Sequence, residues 1–268
     1  MDALRNKARD LLSDGSVQVV IGYGPGSVPD QARAVFLRRP EQVGALFFDD
    51  RCHQNLAVYL TKPEVKALGK PAIVGTPAIL RSILQLAAEN QIADGQVLAL
   101  GVDGDGRVTE LPDFKSIEDF LAPLPADLSP QEQEQLARIE AMSRSERWNY
   151  WIDQLSCCLR CYACRAACPL CYCGRCAVEA NQPQWIPVAP HPRGVLEWHL
   201  ARAMHLAGRC VNCGSCAKAC PLGIPIHLLT QMLSQEVAKR FGLQAGRSAK
   251  REYVLGTFKP DDAEDFIR

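Results

Sequence analysis

Two runs of cysteine in this chain share one spacing. In each run three cysteines follow one another at steps of three residues, and a fourth comes four residues later, directly before a proline. The first run is Cys158, Cys161, Cys164 and Cys168, followed by Pro169. The second run is Cys210, Cys213, Cys216 and Cys220, followed by Pro221. Thiolates bind soft transition metals, and three thiolates on one winding turn of backbone can hold three corners of a cube of iron and sulfide.

The fourth corner of such a cube must be held from elsewhere. The proline after each fourth cysteine lacks an N–H and has a fixed φ, so it ends the turn and directs the chain away. The spacing resembles that of bacterial two-cluster ferredoxins, in which the fourth cysteine of each run ligates the other cluster. This resemblance implies one 4Fe-4S cluster on Cys158, Cys161, Cys164 and Cys220. It implies a second 4Fe-4S cluster on Cys210, Cys213, Cys216 and Cys168.

Zinc and disulfides are the alternatives for these cysteines. A structural zinc site takes four ligands, usually from paired Cys-x-x-Cys steps, whereas here two triplets each end in Cys-Pro. A disulfide scaffold is typical of small secreted domains, and this chain has 268 residues. The pattern therefore favours iron–sulfur clusters.

Five of the 13 cysteines lie outside the two spaced sets. They are Cys52, Cys157, Cys171, Cys173 and Cys176. All but Cys52 flank the first run, and four is the right number for a possible third metal site, iron–sulfur or zinc. Alternatively they are buried free thiols, because free cysteine is among the most buried residue types. Adjacent Cys157 and Cys158 must point in different directions, which weighs against the third site without excluding it.

Composition narrows the class of protein. Lys+Arg and Asp+Glu both number 30, so the net charge is zero and nothing indicates a nucleic-acid partner. No apolar run is long enough for a membrane span. The first twelve residues, MDALRNKARDLL, carry charges where a secretory signal would be apolar. Many cysteines without such a signal predict metal binding in the reducing cytoplasm.

The first 111 residues predict a small α/β domain. Strand-like runs are expected at 17–21, 34–37, 43–48, 72–74 and 97–100, and helix-like spacing at 54–68 and 79–92. Such alternation predicts a largely parallel sheet. The Gly22–Gly26 stretch, GYGPG, lacks phosphate-loop spacing and is interpreted as a turn.

Four segments are predicted along the chain, with an α+β fold as a whole. Residues 1–111 form the α/β scaffold or docking domain, and 112–156 a linker with helices starting at Ser129 and at the capping box Ser143 to Glu146. Residues 157–225 form a two-cluster ferredoxin-like domain with a helical insert at 195–207. Residues 226–268 form a helix to about Phe241 and a tail that either docks on a partner or folds back.

Two histidines flank Arg202 on the helical insert. His199 and His205 could each donate a hydrogen bond toward a cluster or a partner and tune the reduction potential. Surface or core histidines are the commoner outcome. No Ser/His/Asp or paired-carboxylate arrangement indicates a catalytic site in this chain.

Two stretches resemble known redox subunits. SCCLRCYACRAACPLCYCGRC and HLARAMHLAGRCVNCGSCAKACPLGIPIHLL resemble the ferredoxin-type electron-transfer subunits of heterodisulfide-reductase-like, formate dehydrogenase and hydrogenase complexes. The segments VVIGYGPGS, FFDDRCHQNLAVYL and AIVGTPAILRSI look like a shortened relative of the β subunit of deazaflavin-reducing hydrogenases and formate dehydrogenases. The resemblance implies partner subunits: a flavoprotein, a formate dehydrogenase or hydrogenase catalytic subunit, or heterodisulfide-reductase-like subunits.

The N-terminal part departs from that family at two positions. The resemblance implies cysteines where this chain has Ala78 and Asp103, and Cys52 alone persists. We therefore expect no flavin and interpret the domain mainly as a docking scaffold. The preferred function is a non-catalytic subunit that relays single electrons through two 4Fe-4S clusters within an oxidoreductase complex. The alternatives are a flavin- or deazaflavin-binding β subunit that itself oxidises or reduces a cofactor, and a metal-stabilised adaptor without redox turnover.

Overall fold

The computed structural model describes residues 1–124, 128–176, 180, 182–184 and 186–250. Its contacts divide the chain into two compact units. The first unit includes the described residues 1–124, 167–172 and 245–250, and the second unit the other described residues. A five-stranded sheet and many helices confirm the α+β class. The predicted boundaries after residues 111, 156 and 225, and the ferredoxin-like arrangement of residues 157–225, stay predictions.

The first unit is built on a sheet with the strand order β2-β1-β3-β4-β5. The strands are β1 (Val19–Pro25), β2 (Ala32–Leu37), β3 (Pro71–Gly75), β4 (Leu98–Val102) and β5 (Val108–Leu111). Strand β3 pairs in parallel with β1 and β4, whereas β2 and β5 pair antiparallel at the edges. The predicted parallel sheet is thus correct at its centre and wrong at both edges.

The apolar composition of the central strands explains why they are buried. Every residue of β3 and β4 is buried, as are all residues of β1 except Pro25. A continuous apolar run of this kind is typical of strands covered on both faces. The strands predicted at 17–21, 34–37, 72–74 and 97–100 overlap β1 to β4. The turn predicted at Gly22–Gly26 is wrong for its first four residues, which continue β1.

The strand predicted at 43–48 is wrong. Pro40–Ala45 forms a 3₁₀ helix, and Phe47 pairs with Tyr23 through an isolated bridge. Pro40 occupies the first turn of this helix, where its missing N–H costs no hydrogen bond.

The single helix predicted at 54–68 is also wrong. The segment divides into a 3₁₀ helix at Leu56–Tyr59 and the short helix α2 (Pro63–Lys66), and β5 was not predicted at all. Pro63 explains the division, because proline ends a preceding helix and favours the first turn of the next one.

Three longer helices belong to the first unit. They are α1 (Asp2–Ser13), α3 (Pro77–Ala88) and α4 (Phe114–Leu121). Helix α3 overlaps the helix predicted at 79–92 and is buried along most of its length. Its N-cap is Thr76, whose hydroxyl accepts a hydrogen bond from the Ile79 amide. Asp113 caps α4 in the same way.

Two later segments complete the first unit through buried polar contacts. The Tyr172 hydroxyl donates to Glu89 over 2.8 Å, and the Glu89 carboxylate also accepts the Gln85 amide over 2.8 Å. The backbone N–H of Gly246 donates to the Gln85 side-chain oxygen over 3.0 Å. The start of the C-terminal tail therefore folds back on its own chain. The apolar tail residues Tyr253, Val254, Leu255, Phe258 and Phe266 lie outside the described residues.

The second unit is helical in its described residues. Its helices are α5 (Pro130–Glu140), α6 (Arg144–Ser156), α7 (Ala163–Ala166), α8 (Pro192–His205), α9 (Ser215–Lys218) and α10 (Ile226–Phe241). The helix start predicted at Ser129 and the capping box predicted at Ser143 are confirmed, and Ser129 also forms a capping box with Glu132. The predicted helices at 195–207 and 226–241 are confirmed by α8 and α10.

Apolar packing in the second unit surrounds the cysteines. Leu155 of α6 and Trp198 of α8 share one core cluster with Cys164 and Cys216. Cys158, Cys176 and Cys220 pack against the same cluster from partly buried positions. A dry apolar surrounding of this kind is one of the determinants of a cluster's reduction potential.

Candidate metal centres

The two cysteine runs fold alike. The third cysteine of each run lies on a short helix, Cys164 on α7 and Cys216 on α9. Two left-handed residues precede that helix in each run, at the same two positions relative to the cysteines. They are Arg160 (φ 52°) and Tyr162 (φ 60°) in the first run, and Asn212 (φ 56°) and Gly214 (φ 69°) in the second. The equal spacing in sequence has therefore become equal backbone geometry.

The left-handed turns direct backbone N–H groups toward sulfur. The Arg160 N–H donates to the Sγ of Cys158 over 3.4 Å, and the Asn212 N–H makes the equivalent hydrogen bond to Cys210. Burial raises the pKa of both thiols, and each of these hydrogen bonds offsets part of that rise, because it stabilises the thiolate. The first cysteine of each run thus has a backbone donor for the deprotonated form that binds metal.

The turn after the fourth cysteine is repeated too. The Cys171 N–H donates to the Cys168 carbonyl over 3.1 Å, and the Gly223 N–H donates to the Cys220 carbonyl over 3.2 Å. In both turns the proline occupies the second position, where its fixed φ is favourable. The proline therefore turns the chain, as the sequence predicted.

Three predicted ligands of the first cluster lie within electrostatic reach of one another. Burial raises the pKa of the Cys158 thiol, and the neighbouring Cys220, Cys161 and Cys157 raise it further. Cys164, the fourth predicted ligand, is buried in the core cluster against which Cys158 and Cys220 pack. The second unit thus brings the four cysteines of this predicted set into one neighbourhood.

The three cysteines of the second run are also close together. Burial raises the pKa of the Cys216 thiol to about 12, Cys210 and Cys213 raise it as well, and the Arg202 guanidinium lowers it. Cys168, the predicted fourth ligand, belongs to the first unit, so its assignment to this cluster stays a prediction.

Two buried arginines lie beside the cysteines. Arg160 and Arg202 are 6% and 5% exposed, although arginine is seldom buried without a partner. The Arg202 guanidinium donates to the Cys164 carbonyl over 3.1 Å, and Arg160 donates to the carbonyl of Pro187. Buried positive charge suits a centre ligated by four thiolates, because it offsets their negative charge. Sequence reasoning did not predict the role of these arginines.

His199 reaches the first cysteine of the first run. Its Nε2 lies 3.4 Å from the Sγ of Cys158, and the side chain is 2% exposed. Burial, together with the positive charges of Arg202 and Arg160, lowers the pKa of His199 to about 4. His205, the other histidine singled out on α8, is exposed.

The donor set fits iron–sulfur clusters. All 13 cysteines are free thiols. Within the ranges that the structure describes, no three cysteine, histidine or carboxylate side chains form a group that could hold a metal ion. A cubane does not require its thiolates to converge on one point, because each binds a different iron atom.

The remaining cysteines near the first run have different surroundings. Cys157 and Cys173 are exposed, and the Cys173 carbonyl accepts a hydrogen bond from Arg165 over 3.0 Å. Cys176 packs against the core cluster of the second unit, whereas Cys171 belongs to the first unit. The possible third site on these four cysteines stays a prediction.

The two N-terminal positions at which the resemblance implies cysteine lie where neighbouring strands of the sheet end. Ala78 follows the carboxyl end of β3, and Asp103 follows the carboxyl end of the neighbouring parallel strand β4. The Asp103 carboxylate accepts hydrogen bonds from the amides of Asp105 and Arg107, so it stabilises a turn. Cys52 is half-buried, and burial raises the pKa of its thiol.

A small cavity in the first unit lies at the other end of the central strands, where β3 and β4 begin. Its volume is about 230 Å³, and its lining includes Lys66, Lys70, Pro71 and Val97, at the amino ends of β3 and β4. Ligand sites typically measure roughly 300–1,000 Å³, and ligands of such sheets bind outside the carboxyl ends of the strands. The cavity therefore gives no support to a flavin site.

Similarity to known proteins indicates a redox subunit. No family model matches the chain. It is 32% identical over 103 residues to the F420-dependent formate dehydrogenase subunit beta of Methanocaldococcus jannaschii, a match covering 38% of this chain and 25% of that protein. It is 28% identical over 193 residues to the F420-dependent formate dehydrogenase 1 subunit beta of Methanococcus maripaludis, covering 71% of this chain and 47% of that protein.

The chain spans about half or less of the length of these curated relatives. This similarity supports the prediction that the chain is a subunit of an oxidoreductase complex. In the described part of the chain, no helix combines the length and the apolar character that crossing a membrane requires.

Proposed function

We propose that this chain is an electron-transfer subunit of a formate dehydrogenase-type oxidoreductase complex. The observation that carries the proposal is the repeated backbone of the two cysteine runs, with left-handed residues at matched positions and an N–H donor at the first cysteine of each. A repeat in which both geometry and ligand type recur favours two equivalent metal centres over one centre and a structural remnant.

The proposed ligands are those that the spacing implies. Cys158, Cys161, Cys164 and Cys220 would hold the first 4Fe-4S cluster. Cys210, Cys213, Cys216 and Cys168 would hold the second. When bound, each cluster would supply reversible one-electron transfer.

The chain's own residues would set the conditions for that transfer. The apolar cluster around Leu155 and Trp198 covers Cys164 and Cys216 and packs against Cys158 and Cys220, whereas Cys161 is exposed. The Arg202 guanidinium lowers the pKa of the Cys210 and Cys216 thiols and so offsets the negative charge of their thiolates, and the Arg160 and Asn212 amides each donate to one sulfur directly. Burial, charge and hydrogen bonds to sulfur are the levers by which a protein sets a cluster potential. No residue of this chain is assigned a bond-breaking role.

The proposed partners are subunits of the same complex. Both relatives are named as beta subunits of formate dehydrogenases, which supports a catalytic formate dehydrogenase subunit as one partner. A flavoprotein, a hydrogenase catalytic subunit or heterodisulfide-reductase-like subunits would fit the same role. Free thiols at all 13 cysteines fit the reducing cytoplasm as the proposed location.

Anaerobic reduction tests the proposed function. The purified chain should lose visible absorbance when dithionite is added and regain it when an oxidised viologen accepts the electrons. Replacing Cys161 or Cys213 by alanine should diminish this reversible change, whereas replacing exposed Cys173 should not. Colour that dithionite cannot bleach would instead favour the metal-stabilised adaptor.

A flavin- or deazaflavin-binding subunit is the second candidate. The names of both relatives include F420 dependence, which is the observation in its favour. Acid extraction of the native protein followed by fluorescence chromatography separates the candidates. A flavin or deazaflavin released in stoichiometric amount would favour the second candidate over a relay without an organic cofactor.

A further inference from the structure

The α8 face that covers the first cysteine run carries two buried polar side chains one turn apart. Arg202 donates to the Cys164 carbonyl, whereas His199 contacts the Cys158 sulfur itself. His199 therefore contacts the sulfur of a proposed ligand, whereas Arg202 contacts a backbone carbonyl.

The two ring nitrogens of His199 differ in their surroundings. Nε2 lies 3.4 Å from the Sγ of Cys158. Nδ1 is buried and has no hydrogen-bond partner within the part of the chain that the structure describes. A neutral imidazole carries its single proton on one of these nitrogens.

The deprotonated state of a metal-bound Cys158 determines which tautomer of His199 is favourable. A metal-bound Cys158 has no proton to donate, so its sulfur can only accept. A proton on Nδ1 would leave a buried N–H without an acceptor and would direct the Nε2 lone pair at the thiolate, and both effects are unfavourable. A proton on Nε2 avoids both.

We infer that His199 donates its Nε2–H to the sulfur of Cys158 and thereby raises the reduction potential of the cluster that this cysteine ligates. This inference rests on the proposed function, since it requires a cluster on Cys158. Reduction adds negative charge to the cluster and its thiolates, and a hydrogen bond to sulfur stabilises that added charge. His199 acts through the ligand and is a positioning and tuning residue.

The packing around His199 fixes the direction of the ring. Its neighbour Trp198 is 1% exposed and stands edge-on to the imidazole, with 4.8 Å between ring centroids and 83° between ring planes. Trp198 also packs against Tyr162 of the first cysteine run at 5.2 Å. The imidazole thus packs against Trp198, which is itself packed against Tyr162 of the run.

Redox titration of single variants tests the inference. In His199→Leu the donor is lost, and in His199→Gln a side-chain amide N–H can still reach sulfur. His205→Leu is the matched control, because His205 is an exposed histidine of the same helix. The full-length chain, purified without air, is titrated with dithionite while electron paramagnetic resonance follows each cluster. The signal that Cys158→Ala removes identifies the cluster in question.

We expect His199→Leu to shift this cluster to lower potential, while the other cluster stays within error of the native value. His199→Gln should shift it less, and His205→Leu should shift neither cluster. If His199→Leu loses the cluster but His199→Gln keeps it near the native potential, the donor role is again supported.

Three results would overturn the inference. One is an unchanged potential in a fully loaded His199→Leu protein. Another is an equal shift in His199→Leu and His199→Gln, because the N–H would then be irrelevant. The third is loss of the cluster in both variants, which would make His199 a packing residue. A native protein that binds no 4Fe-4S cluster would instead refute the proposed function itself.

Discussion

The two cysteine runs have the same backbone conformation but are covered by different side chains. At Cys158 the covering side chain is the imidazole of His199 on α8, whose Nδ1 has no competing partner in the described residues. At Cys210 the covering side chain is Thr230 on α10, whose hydroxyl also bonds to the His227 carbonyl over 2.9 Å. The backbone repeat supports two matched metal sites as proposed, and the covering helices make the surroundings of the two runs chemically different.

The chain leaves the two runs differently as well. After Cys168, Leu170 is buried and the Tyr172 hydroxyl bonds to Glu89, all within the first unit. After Cys220, Leu222 is exposed and Ile224 enters the core of the second unit. The fourth cysteine of each run is therefore held by a different unit, although the Cys-Pro turn is the same.

The largest effect is expected when the fourth cysteine of either run is replaced by alanine. If the ligands cross between runs, Cys220→Ala should remove the cluster of the first run, about four of about eight irons, and leave the second assembled. Cys168→Ala should have the reciprocal effect. Iron analysis and electron paramagnetic resonance of both variants measure this. Loss of the Cys210, Cys213 and Cys216 cluster in Cys220→Ala would contradict the crossed assignment.

Removing the hydrogen bond between Tyr172 and Glu89, which follows Cys168 in the chain, should have a smaller effect. Tyr172→Phe loses a hydrogen bond to a carboxylate, so the free energy of unfolding should fall by about 1.5–3 kcal/mol. Thermal unfolding without air, followed by circular dichroism, measures the change. A double-mutant cycle with Glu89→Gln isolates the pair. Strictly additive effects of the two substitutions would show that this contact contributes nothing.

The left-handed turn of the second run can be tested at its glycine. Gly214 has a φ of 69° and open space where a Cβ would lie, so Gly214→Ala adds backbone strain without a clash. We expect a loss of about 1–2 kcal/mol, or roughly 2–4 °C in Tm per kcal/mol for a chain of this size. Gly104→Ala is the control, because Gly104 also has open space but no left-handed φ. Equal Tm values for both variants would contradict the importance of the turn.

The two covering side chains, His199 and Thr230, should differ in how much each raises the reduction potential of its cluster. Thr230→Val keeps the shape of the side chain but removes the hydroxyl beside Cys210. Because that hydroxyl is shared with the His227 carbonyl, its loss should lower the potential of the second cluster less than His199→Leu lowers that of the first. The same potentiometric titration compares the two shifts. A larger shift in Thr230→Val would reverse the proposed ranking.

The additional cysteines should have no effect on metal content if two clusters are the full complement. Joint replacement of Cys171, Cys173 and Cys176 by serine should leave the iron and zinc content per chain unchanged. Elemental analysis of the variant and of the native protein tests this. A drop in iron or zinc, with the absorbance of the two clusters retained, would instead establish the third site.

Sequence reasoning succeeded where one local signal determines the structure. The continuous apolar runs of β3 and β4 predict buried parallel strands, and Ser143 with Glu146 predicts the start of α6. It failed where signals competed. The apolar spacing of residues 54–68 favoured a single helix, although Pro63 within it marks a break. The missed helix α1 carried a usable signal, since Leu4, Ala8 and Leu11 are spaced for one buried face.

The candidate site shows a different limit. Eight cysteines are predicted as ligands from their spacing and from the resemblance to two-cluster ferredoxins that this spacing carries, because a cluster requires its ligand type and separation. The left-handed Arg160 and Tyr162 carry no sequence signal, since such φ values are uncommon for residues other than glycine and asparagine. The contact between His199 and Cys158 joins residues 41 positions apart, which only the packing of α8 brings together. The cysteine ligands therefore stay a prediction from the sequence, which also indicated His199 as a possible donor but not the sulfur that it contacts.

The stoichiometry of iron and acid-labile sulfide tests the central claim most directly. The native chain, isolated without air, should contain about eight iron and about eight sulfide atoms, four of each per cluster. Mössbauer spectra of the same sample should show cubane iron only. Zinc in place of iron, iron without sulfide, or about four irons per fully folded chain would contradict the account of two matched cysteine runs that each support a 4Fe-4S cluster.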